Sequence, residues 1–226
     1  MRVLNIGSLN LYYVYNLDHI VQPGETEASY ELNVHLGGKG MNQTVALAKA
    51  GVDVYHGGMI GEDGQPFLDA CKEFGVHAEY IRQTDTKSGH AIIQIDKNAQ
   101  NSILLYGGAN QQLTSEYIDT VLADFGAEDI LLLQNEVNML PYIVNRAHEK
   151  GMTIALNPSP FNEKLHAVDT TAAGDTFTGY FLAGLCEGLP IPEVLKMSAK
   201  ASSIAVSRAG AVPSIPFREE VMAALV

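Results

Sequence analysis

Three small residues, Ala172, Ala173 and Gly174, stand directly before an acidic residue, Asp175, at the predicted start of a helix. Alanine and glycine let backbone N–H groups come close to an anion, and the positive end of the helix dipole would point at the same place. The sequence therefore predicts a site that could hold a phosphate group during transfer. A second interpretation stays open at this stage, because Asp is a common capping residue and could serve only to begin the helix.

The predicted helix carries Phe177, Phe181 and Leu185 at intervals of four residues. This spacing places the three side chains on one face of a helix, and we expect that face to be buried. A buried face would anchor the helix and hold the loop before it in place.

A second glycine-rich turn, at residues 37–43, reads Gly-Gly-Lys-Gly-Met-Asn-Gln and precedes another predicted helix. Its glycines allow close approach of the backbone, while Lys39 and Asn42 offer donors and an acceptor to sugar hydroxyls. It lacks the Lys-Ser/Thr pair of a Walker A loop and the glycine spacing of a dinucleotide-binding fold. The turn suits a polyhydroxylated ligand, although an ordinary turn before a helix could contain the same residues.

The composition limits the classes of partner. The chain has 226 residues, 46% of them hydrophobic, and a formal net charge of −12. Nucleic acids and anionic membranes are bound through clustered Lys and Arg, which this sequence lacks, so we expect neither as a partner. The two cysteines, Cys71 and Cys186, are expected to be buried free thiols, and no His or Cys pair has zinc-ligand spacing. No stretch reaches the roughly 18 apolar residues of a membrane span, so a cytoplasmic protein is the default expectation.

Strands and helices alternate along most of the chain. Strands are predicted at residues 3–6, 9–14, 52–56, 130–133 and 152–156, and helices at residues 42–49, 67–74, 117–125 and 140–150. This order predicts an α/β fold in which a doubly wound, mostly parallel sheet has helices on both faces. Ligands of such sheets bind beyond the carboxyl ends of the strands.

Two regions interrupt this alternation: residues 27–36, and a predicted hairpin formed by residues 90–95 and 102–106. We expect them to form a small separate sheet. As a lid over the strand ends, such a sheet would exclude water from a phosphoryl-transfer site. Its outer face could instead pair with another subunit.

The order of these motifs along the chain resembles that of the ribokinase-like, or PfkB, family of carbohydrate kinases. The matching segments are Gly7-Ser8-Leu9-Asn10, Pro23-Gly24-Glu25-Thr26, residues 37–43, Gly61-Glu62-Asp63-Gly64, Gly108-Ala109-Asn110, Glu136, Asn157-Pro158-Ser159-Pro160, residues 169–179 and residues 210–216. They cover nearly the whole chain, and the turn at residues 37–43 is most similar to that of the ribokinase group. The resemblance implies a single ribokinase-like α/β domain over residues 1–226, with lid strands within residues 11–36 and 88–107.

The resemblance also implies a reaction, the ATP-dependent transfer of the γ-phosphate to the primary hydroxyl of ribose or a related sugar. Asp175 would be the catalytic base, the backbone amides around Ala172, Ala173 and Gly174 would form the anion hole, and Gly174 and Asp175 would contact the nucleotide. The residues that would bind the sugar are Asn10, Gly38, Lys39, Asn42, Glu136 and Asp175. For Glu136, a solvated acid in an exposed loop is the alternative.

Cofactors and assembly are implied in the same way. Mg²⁺ would arrive with ATP. A monovalent cation such as K⁺ would be held, mostly through backbone carbonyls, at Asp169, Thr171, Ala205, Arg208, Gly210 and Ser214. Arg208 could equally be an ordinary surface cation. The lid strands would join two copies of the chain in a homodimer.

The sequence departs from the family pattern in two places. Tyr12 stands where the family has an Asp that receives sugar hydroxyls, so the substrate differs or another carboxylate, Asp18 or Glu136, compensates. Near residues 161–167, the family has roughly seventy further residues, a segment that supplies an Asn-x-x-Glu motif and strands that hold the nucleotide. A chain with this segment is expected to be an ordinary kinase, whereas one without it could be a catalytically impaired, sugar-binding remnant. A nucleoside kinase is a third possibility within the same fold.

Overall fold

The computed structural model describes residues 1–159, 173–208 and 210–225. The strands are β1 (Val3–Ile6), β2 (Asn10–Asn16), β3 (Glu31–Gly37), β4 (Val54–Ile60), β5 (His77–Gln83), β6 (Gly89–Ile95), β7 (Asn101–Tyr106), β8 (Ile130–Gln134) and β9 (Thr153–Asn157). The helices are α1 (Lys39–Lys49), α2 (Gln65–Phe74), α3 (Ser115–Leu122), α4 (Leu140–Glu149), α5 (Ala173–Cys186), α6 (Ile191–Ala205) and α7 (Arg218–Ala223). Short 3₁₀ turns occupy Gly108–Gln111 and Val212–Ser214.

Among the described residues, five parallel strands form the central sheet, in the order β5-β4-β1-β8-β9. Side chains alternate between the two faces of a strand, and both faces of this sheet are apolar. Val3 and Leu132 pack with α1 and α2 on one face. Leu4 and Leu131 pack with α3 and α4 on the other. The predicted α/β class is confirmed, and the carboxyl ends of β1 and β8 lie side by side at one edge.

In the described part of the chain, the second sheet has four strands in the order β3-β2-β6-β7. Strand β2 pairs with β3 antiparallel and with β6 parallel, while β6 and β7 form the predicted hairpin. In the turn between them, the carboxylate of Asp96 accepts hydrogen bonds from the backbone N–H groups of Asn98 and Gln100. The interruptions of the alternating pattern therefore do form a separate sheet, and β2 belongs to it as well.

The predicted buried face of α5 is wrong. Phe177, Phe181 and Leu185 are only half-buried, because α5 buries a neighbouring face instead, which carries Gly179, Tyr180, Leu182 and Ala183. Gly179 lies against Ala46 of α1, where a Cβ on the glycine would be 2.4 Å from the alanine Cβ. On the neighbouring face, Tyr180 and Ala183 join a buried cluster with Met197 and Ala201 of α6. Helix α6 was not predicted from the sequence, so its packing against this face of α5 could not be predicted either.

The glycine-rich turn begins α1 three residues earlier than predicted, at Lys39. Gly38 has a φ of 92°, a conformation that side chains with a Cβ rarely adopt. Gly40 lies so close to the loop after β1 that a Cβ on it would be 2.3 Å from the backbone N of Ser8. The glycines therefore let the start of α1 lie directly on the segment that follows β1.

Gly40→Ala is expected to destabilise the fold by about 1–3 kcal/mol, because the added methyl group meets backbone atoms that cannot move aside cheaply. Gly126→Ala is the matched control, since a Cβ there has open space around it. Urea denaturation of the three proteins measures the effect. Equal midpoints for the two variants would contradict the close packing of α1 on the loop after β1.

The composition led to predictions about the two cysteines and about membrane-spanning helices. Cys71 is buried in α2, and Cys186, the last residue of α5, is half-buried; both are free thiols. Among the described helices, none combines the length and the apolar character that spanning a bilayer requires.

Candidate active site

Glu136 and Ser8 each follow a central strand by two residues, β8 and β1 respectively. One carboxylate oxygen of Glu136, Oε2, accepts hydrogen bonds from the Ser8 hydroxyl and, at 2.9 Å, from the backbone N–H of Lys39. Burial raises the pKa of Glu136, and the two hydrogen bonds and the charge of Lys39 oppose that shift. Glu136 is therefore a bonded, half-buried group at the strand ends rather than a solvated loop acid.

Asp175 lies in the first turn of α5 and is only 6% exposed. Its Oδ1 accepts a hydrogen bond of 2.7 Å from Gln43 Nε2, and its Oδ2 accepts one of 3.1 Å from Asn42 Nδ2. Burial raises the pKa of Asp175, while the positive charge of Lys39 and these two donors lower it. The carboxylate is thus removed from water and held in a fixed orientation by the second glycine-rich turn.

The amide of Asn42 also supplies an acceptor. Its Oδ1 is buried and has no hydrogen-bond partner among the described residues. A buried acceptor without a partner is costly, and a ligand hydroxyl would satisfy it. Asp175 and Asn42 together therefore offer a proton acceptor and a hydroxyl-binding group at one place.

Helix α5 begins at Ala173, which is buried, and Gly174, which is exposed. N–H groups in the first turn of a helix lack partners within the helix and can bind an anion. Ala172 lies outside the described residues. Of the predicted phosphate site, the structure therefore describes only the first turn of α5, which also carries the carboxylate of Asp175.

Asn10, the first residue of β2, lines a cleft together with Glu136. Its Oδ1 accepts a hydrogen bond of 2.7 Å from Asn110 Nδ2, and the Oδ1 of Asn110 accepts one of 2.9 Å from the backbone N–H of Leu9. The cleft has a volume of about 340 Å³, and its lining comprises Asn10, Leu105, Gly107, Asn110, Gln111, Asn135, Glu136 and Val137. Amide and carboxylate groups line one side of it, which suits a small polar ligand.

Tyr12 occupies the place next to the glycine turn. Its hydroxyl accepts a hydrogen bond of 3.0 Å from the backbone N–H of Gly38. Its ring lies against Gly37, where a Cβ would be 2.3 Å from a ring carbon. The phenol thus engages a backbone donor of the turn that was predicted to bind a sugar.

Of the six residues predicted to bind a monovalent cation, the structure describes four. Ala205, Arg208 and Gly210 line a second cavity of about 440 Å³, which Tyr12 also lines. The Ser214 hydroxyl donates to the carbonyl of Ala211 at 2.7 Å, and Arg208 forms an ion pair of 2.6 Å with Glu220. Asp169 and Thr171 lie outside the described residues. The described positions can supply backbone carbonyls, the ligands that the resemblance implies, and the cation site stays a prediction because two of its residues lie outside the described part of the chain.

Gln134, the last residue of β8, was not among the predicted site residues. Its Nε2 donates to Gln43 Oε1 at 2.8 Å and to Asn5 Oδ1 at 3.0 Å. The available signal was a polar residue at the carboxyl end of a strand that is otherwise entirely apolar, Ile-Leu-Leu-Leu-Gln. In a parallel sheet covered on both faces, such a residue must find buried partners.

The pfkB family carbohydrate kinase model matches residues 2–157 and 153–218. A ribokinase from Haemophilus influenzae is 27% identical over 293 aligned positions, covering 96% of each chain, and one from Bacillus subtilis is 28% identical over 283 positions, again 96% of each chain. The crystal structure of a ribokinase from Cryptococcus neoformans in complex with ADP has a TM-score of 0.83 and 28% identity over 99% of each chain. The family model matches most of the chain, and the chain therefore belongs to the pfkB family of carbohydrate kinases.

Proposed function

We propose that the protein is an ATP-dependent sugar kinase that transfers the γ-phosphate to the primary hydroxyl of ribose or a related sugar. The observation that carries this proposal is the carboxylate of Asp175, buried in the first turn of α5 and bonded to two amides of the glycine-rich turn. Membership of the carbohydrate kinase family, and similarity to a ribokinase that binds ADP, support it.

In the proposed reaction, the sugar hydroxyl oxygen forms a bond to the γ-phosphorus. The bond from that phosphorus to the β,γ-bridging oxygen breaks, ADP leaves with its electron pair, and the hydroxyl proton passes to Asp175. The amides of the first turn of α5, at Ala173 and Gly174, would hold the transferring phosphoryl group. Positioning and electrostatic stabilisation supply most of the rate in such reactions. Mg²⁺ would be bound with ATP through its phosphates.

The sugar would lie between the strand ends and the second sheet, which would act as the lid. Asn10 and Glu136 line the polar cleft, and Asn42 has a buried acceptor to offer. Gly38 and Lys39 complete the binding set from the glycine-rich turn. The positive charge of Lys39 acts on both carboxyl groups and would favour their ionised forms.

A homodimer through the second sheet is part of the proposal. One face of this sheet carries exposed apolar side chains on successive strands, among them Leu32, Val34, Ile92 and Leu104. The strand register places Val34 and Ile92 opposite the same residue of β2, Tyr13, and Leu104 opposite Ile92. A contiguous apolar face of this kind suits a protein interface, and two copies of the same face would bury each other.

A second candidate function, a sugar-binding protein with impaired catalysis, rests on the length of the chain. The alignment with the Haemophilus influenzae ribokinase has 293 positions, whereas this chain has 226 residues, so several dozen positions of the relative have no counterpart here. The two blocks that match the family overlap at residues 153–157, in β9. This strand lies at the edge of the central sheet, and Leu156 in it is 53% exposed. The overlap and the exposed edge support a gap after β9, where the resemblance expects strands that hold the nucleotide.

Two measurements separate these functions. An assay of ADP release over a panel of ribose, deoxyribose, ketoses and nucleosides tests turnover, and calorimetry with ATP and sugar separately tests binding. Sugar-dependent ADP release supports the kinase. Sugar binding without ATP binding supports the impaired protein and overturns the kinase, and turnover with nucleosides alone overturns the sugar substrate.

The pH profile provides an independent prediction. Burial raises the pKa of Asp175 above its ordinary value of 3.8, and a general base must be deprotonated to act. We therefore expect kcat/KM to fall about tenfold per pH unit below the pKa of Asp175, with the midpoint above that of an exposed aspartate. A steady-state pH series in constant ionic strength measures it. An acid limb at or below pH 3.8 would contradict the buried position of the base.

A further inference from the structure

Asp175 is one end of a chain of buried side chains joined by hydrogen bonds, and His56 is the other end. The links are Gln43 Nε2 to Asp175 Oδ1 (2.7 Å), Gln134 Nε2 to Gln43 Oε1 (2.8 Å), Gln134 Nε2 to Asn5 Oδ1 (3.0 Å), Asn5 Nδ2 to Thr44 Oγ1 (2.7 Å) and Thr44 Oγ1 to His56 Nδ1 (2.7 Å). All of these side chains are buried, and those between Asp175 and His56 have no exposed surface. The proposed reaction uses only the Asp175 end.

At the His56 end, the carbonyls of Gly40 and Gly7 can only accept hydrogen bonds and therefore fix the direction of donation. Burial lowers the pKa of His56 to about 4, so the ring is neutral and has one donor and one acceptor. Because Thr44 Oγ1 accepts from Asn5, it donates to His56 Nδ1, and His56 Nε2 then donates to the carbonyl of Gly7 at 3.3 Å. The amide of Asn5 is held in turn by its second donation, to the carbonyl of Gly40 at 2.8 Å.

Gln134 joins Asn5 to Gln43 and thereby sets the orientation of the Gln43 amide. Its Nε2 has two hydrogens, and they are donated to the oxygens of Asn5 and Gln43. The oxygen of Gln43 is thereby engaged, and only its NH₂ group is left to face Asp175. The reverse orientation of the Gln43 amide would place its oxygen against the carboxylate, where two acceptors repel each other.

We propose that Gln134 is a positioning residue for Asp175 that acts through Gln43. It keeps a donor directed at the carboxylate and so favours the ionised, correctly oriented base. The inference rests on the proposed function only in that Asp175 is taken as the base. The hydrogen-bonded chain itself requires neither sugar nor ATP.

The test is a double-mutant cycle read out on the protonation of Asp175. The protein is labelled with ¹³C at aspartate carboxyl carbons, the Asp175 signal is assigned by its loss in Asp175→Asn, and it is titrated in the intact chain. Gln43→Met removes the donor and is expected to raise the pKa of Asp175 by about one unit, since a hydrogen bond donated to the ionised carboxylate favours that form. Gln134→Met is expected to raise it by a smaller amount, and in the double variant Gln134→Met adds nothing further.

Asn138→Leu is the matched control, because Asn138 is a partly buried amide whose bonds go to the backbone of Leu113. It is expected to lower thermal stability and leave the Asp175 titration unchanged. A Gln134→Met variant with an unchanged pKa, or additive shifts in the double variant, would overturn the proposal. If Gln134→Met does not fold, side-chain amide exchange in the unsubstituted protein decides, since fast exchange of the Gln43 NH₂ group contradicts the positioning role.

These readouts need no turnover, so the two proposals can fail separately. An enzyme that releases no ADP but shows the non-additive pKa shifts would lack the kinase activity and retain the positioning chain. Turnover with unchanged titrations would support the kinase alone.

Discussion

Asp175→Asn is expected to lower the kcat of sugar phosphorylation by about 10²–10⁴-fold, the range that general base catalysis contributes. The amide cannot take the hydroxyl proton. It also disturbs the site, because Asn42 and Gln43 both donate to this carboxylate, and an amide has only one oxygen to receive them. One of the two donors would then face an NH₂ group.

Steady-state kinetics at saturating sugar and ATP measures this effect. Asp119→Asn is the matched control: Asp119 is a partly exposed acid on α3, on the opposite face of the sheet from α1, and is ion-paired with Arg146 at 2.8 Å. It is expected to leave kcat unchanged. A wild-type kcat in Asp175→Asn would contradict the role of Asp175 as a base and would favour the alternative, in which this acid only begins the helix.

The elements that could be predicted are those whose pattern is set by local sequence. Strand β8 is recognisable because Ile-Leu-Leu-Leu is apolar on both faces, as a strand covered by two helical layers must be. The hairpin of β6 and β7 is recognisable from two apolar runs around a polar turn. Strand β5, His-Ala-Glu-Tyr-Ile-Arg-Gln, was missed because it lies at the edge of the sheet, where charged side chains can face solvent.

The arrangement of α5 could not be predicted from its own residues. A stripe of Phe177, Phe181 and Leu185 has the period of a buried face, but the position of α6 decides which face is covered. Small residues then become the tightest contacts, as at Gly179 against Ala46. The spacing of apolar residues indicates which face of a helix could be buried. The packing of α5 against α6, which is separate in sequence, determines which face is buried.

The candidate active site could also be predicted only in part. Asp175 and the turn at residues 37–43 stand out because their neighbours are small residues before helices. Gln134 has no local signature that connects it to Gln43, from which it is separated by 91 positions in sequence. Only the pairing of β1 with β8, and the close contact of Gly40 with Ser8, bring their side chains together.

Tyr12→Asp is expected to raise the affinity for ribose by about 10- to 100-fold. The family resemblance places an acid at this position, and a carboxylate accepts charge-assisted hydrogen bonds from sugar hydroxyls that a phenol cannot match, each contributing about 1.5–3 kcal/mol. The substitution also removes the hydroxyl that accepts from the Gly38 N–H group, so this donor becomes available to the ligand.

Tyr12→Phe separates the two contributions, because it removes the hydroxyl and keeps the ring that lies against Gly37. Calorimetry with ribose alone measures both variants, and it requires no nucleotide, so the result does not depend on whether the chain binds ATP. Equal affinities of Tyr12→Asp and Tyr12→Phe would mean that sugar hydroxyls do not reach residue 12. A gain confined to Tyr12→Asp would mean that the substituted tyrosine, rather than the rest of the sugar site, limits the affinity for ribose.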